Sequence, residues 1–445
     1  MERRAHRRVP RRCARGLGRA GLEPADVPIR ADDPGRRGPR ALPDDEAGSA
    51  GRVSSVVCQH RASLSVIDVP FDVPSRAHHR IVMVASSYPR FHGDSVGSFM
   101  EPIAQGIARR GHEVHLVAPW HPKWNRPTFE AGVHFHLFHY APTAGLNTFG
   151  YAEGMRADVR LRASAVAVAP LAVLAGWFKA LRVAQKKRAT IMHAHWVVPG
   201  GVIGAAAAGS IPLVISLHGS DVFVAERHAV ARLAARGAFA RARWVSACSE
   251  DLRVRAVAIG AQGARSSVVP YGVDSERFSP DEQARRRVRE SLGIADNVPL
   301  VFAVGRLVRK KGFEYLIDAA AILKSQHPAL RVAIAGDGDL EAELRARALA
   351  SGVGDVVQLL GHVAHHEVPA LLAAADVAVA PSVHDSAGNV DGLPNTVMEI
   401  MASGTPLVAT PVGGIGAVAT DGTTARLVPE RDARALAVAI DDLLR

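Results

Sequence analysis

Short apolar runs of three to six residues alternate with longer segments of helical period along most of the chain. In the first half the runs are Ile81 to Ala85, Val114 to Ala118, Ile191 to Trp196, Leu213 to Leu217, Trp244 to Ala247 and Ser267 to Val269. Helical stretches such as Gly97 to Arg110 and Gly201 to Gly209 lie between them. The second half repeats the arrangement after a charged segment, Asp281 to Ser291, read as a hinge, with strands at Leu300 to Val304, Val332 to Ala335, Val356 to Leu360, Val377 to Ala380 and Leu407 to Thr410. Its first helix places Phe313, Leu316, Ile317, Ala320 and Leu323 at spacings of three and four, which turns one face toward a sheet. Continuous apolar strands separated by helices predict an α/β chain whose parallel sheets are covered on both faces. Two facing Rossmann-like domains are the economical architecture, 79–280 and 281–445, with ligands at the carboxyl ends of the strands.

Residues 1–78 break this pattern. They are rich in Arg, Pro, Gly and Asp without sustained period, so they read as a disordered tail whose removal leaves melting temperature and ligand binding unchanged. The chain of 445 residues carries a formal charge of +11, and residues 1–80, with 16 arginines against 10 acidic residues, hold +6 of it. The basic balance therefore describes mainly the tail. Acids are mixed through it and no aromatic pattern is interleaved, so nucleic acid is not an expected partner. With 48% hydrophobic and 22% charged residues, the rest has a globular composition.

Three cysteines, Cys13, Cys58 and Cys248, make neither a disulfide framework nor a metal-ligand spacing, which suits a reducing, cytoplasmic compartment. The arginine-rich start lacks the apolar region of a secretory signal. From Ala163 to Phe178 the chain is free of charge, but this stretch is short for a bilayer and contains Pro170. Lys179, Arg182, Lys186, Lys187 and Arg188 follow. A buried helix with a solvated basic end is the preferred reading of 163–188, and peripheral contact with anionic lipid is the second.

Two constellations carry chemistry. After the strand Leu300 to Val304 comes Gly305-Arg306-Leu307-Val308-Arg309-Lys310-Lys311-Gly312 and then a helix. Arg306 and Lys311 sit where a strand end meets a helix N-terminus, a place that favours anions, and an Arg fork with a Lys point charge matches a diphosphate. A solvated basic loop fits the same spacing. The second is Gly388-Asn389-Val390-Asp391-Gly392-Leu393-Pro394-Asn395-Thr396-Val397-Met398-Glu399. Asp391 in the loop and Glu399 in the first helical turn could both accept hydrogen bonds from a hydroxyl-rich ligand. Thr396-x-x-Glu399 also fits a capping box, and local sequence alone favours that for Glu399.

In this order and on these elements the motifs resemble the retaining glycosyltransferases of family 4, the group 1 glycosyl transferases of GT-B fold. The likeness rests on Gly305-Arg306 to Lys311-Gly312, on Asp391 and Glu399 around Asp-Gly-Leu-Pro-Asn, on Val269-Pro270-Tyr271-Gly272-Val273-Asp274 leading to Phe278-Ser279-Pro280, and on His218-Gly219-Ser220-Asp221. The resemblance implies a nucleotide-sugar donor, with Arg306 and Lys311 on its diphosphate and Glu399 on the ribose. It also implies that Asp391 and the backbone of Gly392, Leu393, Pro394 and Asn395 contact the transferred sugar, and that His218 faces sugar and acceptor. The family usually has Glu where this chain has Asp391, which puts sugar preference at issue. Its usual Gly-Gly appears here as Val96-Gly97, leaving Gly97 to approach the donor phosphate with Gly305. Such proteins usually continue with helices that cross back to brace the cleft, so the resemblance implies truncation at Arg445.

His193 and His195 form an H-x-H at a strand end, which raises a metal-dependent hydrolase, but no further ligands follow at suitable spacing. His195, Trp196 and Asp221 are assigned to the acceptor side, and His365 with His366 to the start of a surface helix. Ser220 between His218 and Asp221 is not a triad, because triads are assembled in space. The reading is a retaining, metal-independent hexosyltransferase with no cofactor, acting on a hydroxyl of a glycan, lipid-linked or small-molecule acceptor. A sugar-nucleotide epimerase on the same scaffold and a non-catalytic nucleotide-sugar-binding homologue are the alternatives. A dinucleotide oxidoreductase is disfavoured because no strand feeds a G-x-G-x-x-G.

Overall fold

The computed structural model describes residues 77–445 apart from 95, 142, 144, 145, 148, 152–154, 157–159, 162 and 387. The tail reading for 1–78 thus lies outside the described residues except at its last two positions. The described residues fall within one compact unit, Ser75–Arg445.

Its strands are β1 (Arg80–Val84), β2 (Glu113–Pro119), β3 (Phe129–Glu130), β4 (Val133–Phe138), β5 (Met155–Arg156), β6 (Arg160–Leu161), β7 (Ile191–His195), β8 (Leu213–Leu217), β9 (Trp244–Ala247) and β10 (Ser266–Val268), followed by β11 (Leu300–Val304), β12 (Arg331–Ala335), β13 (Val357–Gly361), β14 (Val377–Ala380), β15 (Leu407–Ala409) and β16 (Arg426–Leu427). The first sheet has the order β10-β9-β8-β7-β1-β2-β4-β3, parallel except for the β3–β4 edge, and the second has β13-β12-β11-β14-β15-β16, all parallel. β5 and β6 form a separate antiparallel pair.

The run Leu-Val-Phe-Ala-Val in β11 shows why such strands form. Leu300 and Phe302 pack into a core on one face of the second sheet, while Val301 and Ala303 enter the core on the other. Pleating sends alternate side chains to opposite faces, and helices cover both. In each sheet the strand order reverses at one point, between β1 and β7 and between β11 and β14. Chain connections leave these points in opposite directions, which opens a crevice at the carboxyl ends of the strands. This is the GT-B arrangement.

Three expectations change. The charged segment read as a hinge is the helix Glu282–Ser291, capped by Asp281, whose carboxylate accepts the backbone N–H of Gln283 and Ala284, each at 2.9 Å. Its Arg289 is 1% exposed, donating to the carbonyl of Ala374 at 3.0 Å and to Asp376 at 3.3 Å. β4 was not anticipated, because Val-His-Phe-His-Leu-Phe alternates where its neighbours run apolar. The apolar stretch from Ala163 belongs to a helix of 24 residues, Ala163–Lys186, longer than its charge-free portion suggested. Among the described residues, Ala167–Lys186 is the one helix long and apolar enough to cross a membrane. Ala172, Ala180 and Ala184 are buried in the first core, and a Cβ on Gly176 would lie 2.8 Å from Ile203 Cδ1, so this helix is packed closely on the sheet layer. Its outer face exposes Leu171, Leu174 and Phe178.

Candidate functional site

A cavity of about 1590 Å3 lies at both switch points, between the two sheets. Gly97, Trp196, His218 and Asp221 line it from the first half, and Gly305, Arg306, Lys311, Asp391, Gly392, Leu393, Pro394, Asn395 and Glu399 from the second. Of the residues assigned to the donor and acceptor sides from the sequence, His195 alone is not a wall residue.

The basic turn is shaped by Gly312. Its φ is +65°, and a Cβ there would meet the carbonyl oxygen of Pro381 at 2.0 Å, so only glycine brings this turn against the end of β14. The approach sets both lysines on the neighbouring loop: Lys311 Nζ is 2.6 Å from Asp391 Oδ2, and Lys310 Nζ is 2.9 Å from Oδ1. The Asp391 side chain is 12% exposed. Burial pushes its carboxyl up, but Lys310 and then Lys311 more than offset this and hold it well below the usual carboxylate range. Arg306 is exposed to the cavity. Arg309 turns away to Glu343, at 2.5 Å. Sequence spacing grouped Lys310 with Arg309 outside the matched positions. Only the fold distinguishes them, since the short helical turn at 309–311 sends adjacent side chains in different directions.

Glu399 does not close a capping box. The helix Asn395–Ala402 has Pro394 at its N-cap with no side-chain cap, so Glu399 stands in its second turn, 8% exposed. Its Oε1 pairs with His365 Nε2 at 2.8 Å. His365, expected on a surface helix, instead lines the cavity and packs on Phe278 with ring centroids 5.7 Å apart. Asn395 Oδ1 is buried at the cavity wall without a hydrogen-bond partner. A ligand N–H or O–H would satisfy it.

On the opposite wall His218 is held from both sides. Its Nδ1 is 2.6 Å from Tyr271 Oη and its Nε2 is 3.0 Å from His195 Nδ1. His195, 0% exposed, stacks behind it with ring centroids 5.3 Å apart, which corrects its assignment to the acceptor surface. Burial, reinforced by His193, holds His218 down to about 3, so the ring is uncharged at neutral pH. Trp196, at φ +62°, brings its indole within 4.7 Å of His218, a backbone conformation uncommon for a bulky residue. Asp221, 2% exposed, accepts the backbone N–H of Val197 at 2.7 Å, Gly219 at 3.0 Å and His218 at 3.3 Å. It pins the loops that present His218 and Trp196. Tyr271, part of a sequence motif but given no role, is a residue the sequence analysis missed. Gly97, at φ +69°, is confined because a Cβ would stand 3.1 Å from that of Ser87.

The halves meet beside the cavity. Phe223 and Val224 pack with Val390 and Val412, and a Cβ on Gly392 would lie 2.9 Å from Cys248 Sγ. The Asp391 loop is thereby wedged against the residues that follow β8 and β9.

Two switch-point crevices facing one another, one basic and the other carrying an uncharged imidazole, define a glycosyltransferase of GT-B fold. Comparison with known proteins agrees. The family described as Glycosyltransferase Family 4 matches residues 96–277, and Glycosyl transferases group 1 matches residues 284–445. A Bacillus subtilis relative named as a teichuronic acid biosynthesis glycosyltransferase, TuaC, is 30% identical over 358 residues, covering 76% of this chain and 82% of that one. A GDP-mannose-dependent alpha-(1-6)-phosphatidylinositol monomannoside mannosyltransferase of Mycolicibacterium smegmatis is 36% identical over 238 residues, 53% of this chain and 62% of that one. The crystal structure of Anabaena Alr3699/HepE in complex with UDP superposes with a TM-score of 0.64 at 21% identity, covering 82% of this chain and 89% of the other. The chain belongs to the group 1 glycosyl transferases.

Proposed function

We propose that the protein is a retaining, metal-independent hexosyltransferase that takes its sugar from a nucleoside-diphosphate donor and needs no cofactor. The observation that carries this reading is the basic turn at the end of β11. Arg306 and Lys311 bear on the donor diphosphate, Glu399 on the ribose, and Asp391 with the backbone of 392–395 on the sugar. Gly97 and Gly305 let the chain approach the phosphates. Positive side chains neutralise the departing diphosphate, the role a cation plays elsewhere, and stabilisation of that charge as it grows is what lowers the barrier. Asp391, tied to two lysines, is a hydroxyl acceptor rather than a nucleophile. That supports front-face substitution, in which the leaving diphosphate takes the acceptor's proton and the anomeric configuration is kept. His218, uncharged and fixed by Tyr271 and His195, orients the sugar and acceptor from the other wall.

The acceptor is a hydroxyl of a glycan, lipid-linked or small molecule. The names of the relatives, which refer to teichuronic acid and to a phosphatidylinositol mannoside, support a polymeric or lipid-linked one. Exposed Leu171, Leu174 and Phe178, followed by Lys179, Arg182, Lys186 and Lys187, support docking of the helix on the cytoplasmic face of an anionic membrane.

Incubation with a panel of nucleotide-sugars in excess chelator tests the reading. Transfer or slow hydrolysis with retained anomeric configuration, read by NMR, is expected. Epimer formation would replace it with the epimerase alternative, and binding without turnover would leave a nucleotide-sugar-binding homologue.

A further inference from the structure

At the far end of the first sheet from the cavity, β2 and β4 bring together Glu113, His115, His134 and His136. The strands run parallel with His115 opposite His134 and Val117 opposite His136, so these side chains share one face. One ligating atom from each of Glu113, His115 and His134 lies within 4.8 Å of the others. His115 Nε2 is 2.8 Å from Glu113 Oε1, and its Nδ1 is 3.1 Å from His136 Nε2.

We infer that Glu113, His115 and His134 form a binding site for a divalent transition ion of the zinc class. Residues i and i+2 of one strand plus the facing residue of its neighbour bring three donors within 4.8 Å of one another; the His115 and His134 rings stack with centroids 4.8 Å apart, so the His134 ring turns for both imidazoles to meet one ion. Two imidazoles and a carboxylate are a donor set suited to zinc, with water completing a tetrahedron. Zinc ligand bonds are about 2.0 to 2.2 Å, so donor atoms must close to roughly 3.3 Å of one another. The closure falls to Glu113 and His134, which are partly exposed, while His115 is fixed at 0% exposure.

His136 is placed as a ligand-supporting group. With an ion on Nε2, His115 carries its proton on Nδ1 and donates it to His136 Nε2, the kind of outer partner that fixes a metal-bound imidazole. Without the ion the proton sits on Nε2 and is donated to Glu113. The ion and that proton are alternatives at one nitrogen, so uptake exchanges the tautomer.

A competing cation stands beside the cluster. Lys187 Nζ stands 3.9 Å from Glu113 Oε1 and must swing aside. Glu113 begins β2 and the cavity lies at the other ends of the strands, so the ion braces the outer strands and takes no part in sugar transfer.

The test uses the full-length, untagged chain stripped with a chelator and titrated with Co(II), followed by Zn(II) displacement. The expected result is one Co(II) per chain with the intense visible bands of a tetrahedral site, bleached by Zn(II), and a raised melting temperature with Zn(II). His136→Gln should weaken binding about 10- to 100-fold, and Glu113→Gln and His134→Gln should abolish the bands. Lys187→Ala should bind more tightly, and exposed His139→Gln should match the parent. Far-UV circular dichroism confirms that each variant is folded. Weak octahedral spectra, or binding that survives both Glu113→Gln and His134→Gln, would overturn the assignment and leave the cluster as a hydrogen-bonded chain of imidazoles.

Discussion

Lys311 faces a conflict that the geometry makes measurable. In the free protein it is tied to Asp391 at 2.6 Å, yet a donor diphosphate draws on the same ammonium. When it leaves, Lys310, at 2.9 Å, is the remaining counter-charge to a carboxylate only 12% exposed. Lys310→Ala should therefore weaken nucleoside diphosphate binding although Lys310 itself need not touch phosphate. A hydrogen bond to a charged group is worth about 1.5 to 3 kcal/mol, which converts to a loss of roughly ten- to a hundredfold. Asp391→Asn removes the carboxylate, so Lys311 is already free and diphosphate binding should tighten. In that background Lys310→Ala should have little further effect, giving a coupling energy close to the full single-variant loss. Arg309→Ala, whose guanidinium faces Glu343, should bind as the parent does. Titration calorimetry with the preferred nucleoside diphosphate reads all four. Equal losses for Lys310→Ala with and without Asp391, or no loss at all, would refute the hand-off.

Three further outcomes are expected. His193 and His218 are held by burial at about 4 and about 3, whereas the unfolded chain protonates near 6.5, so below 6.5 the unfolded state takes up more protons. Stability is thus full above pH 6.5 and drains as pH falls toward 3, and urea melts at pH 7, 5 and 4 should show decreasing midpoints; a flat profile would contradict their burial as neutral rings. Arg289→Met leaves Asp376 paired with Arg285 at 2.6 Å but removes the donor to the carbonyls of Ala374, Ala295 and Val298, so it should cost about 1 to 3 kcal/mol in the same melts, and an unchanged midpoint would show that these carbonyls find other partners. Gly312→Ala places a Cβ 2.0 Å from Pro381 O and should abolish diphosphate binding while the second half stays folded; unchanged calorimetry would show that the turn relaxes freely.

The strands legible in the sequence were those buried on both faces, since parallel β11 or β14 needs no polar alternation. β4 escaped because its histidines alternate with apolar positions and find their polar partner on the neighbouring strand β2. The helix 282–291 hid behind its charge, although Asp281 followed by Ala284 and Val288 carries a cap and the start of a helical stripe. The basic turn and the Asp391 loop were visible because glycine, proline and charge cluster there for backbone reasons. Which lysine does what was not, because that depends on how the turn is rolled against the next strand. Glu399 with His365, and His218 with Tyr271 and His195, join elements far apart in the chain, and spacing carries no trace of such pairs.

The wedge formed by Val390, Gly392 and Val412 has a consequence for anyone who would trade halves between relatives to change sugar preference. A crossover placed in the connector near residue 280 cuts few strands and looks harmless, yet it separates Gly392 from the Cys248 that leaves room for no larger residue. It also separates Val390 and Val412 from Phe223 and Val224. A chimera would inherit two sound cores and a mismatched seam beside the donor, failing as a catalyst while melting like a healthy protein. Recombination should move the seam as a unit, with positions 223, 224 and 248 travelling alongside the Asp391 loop.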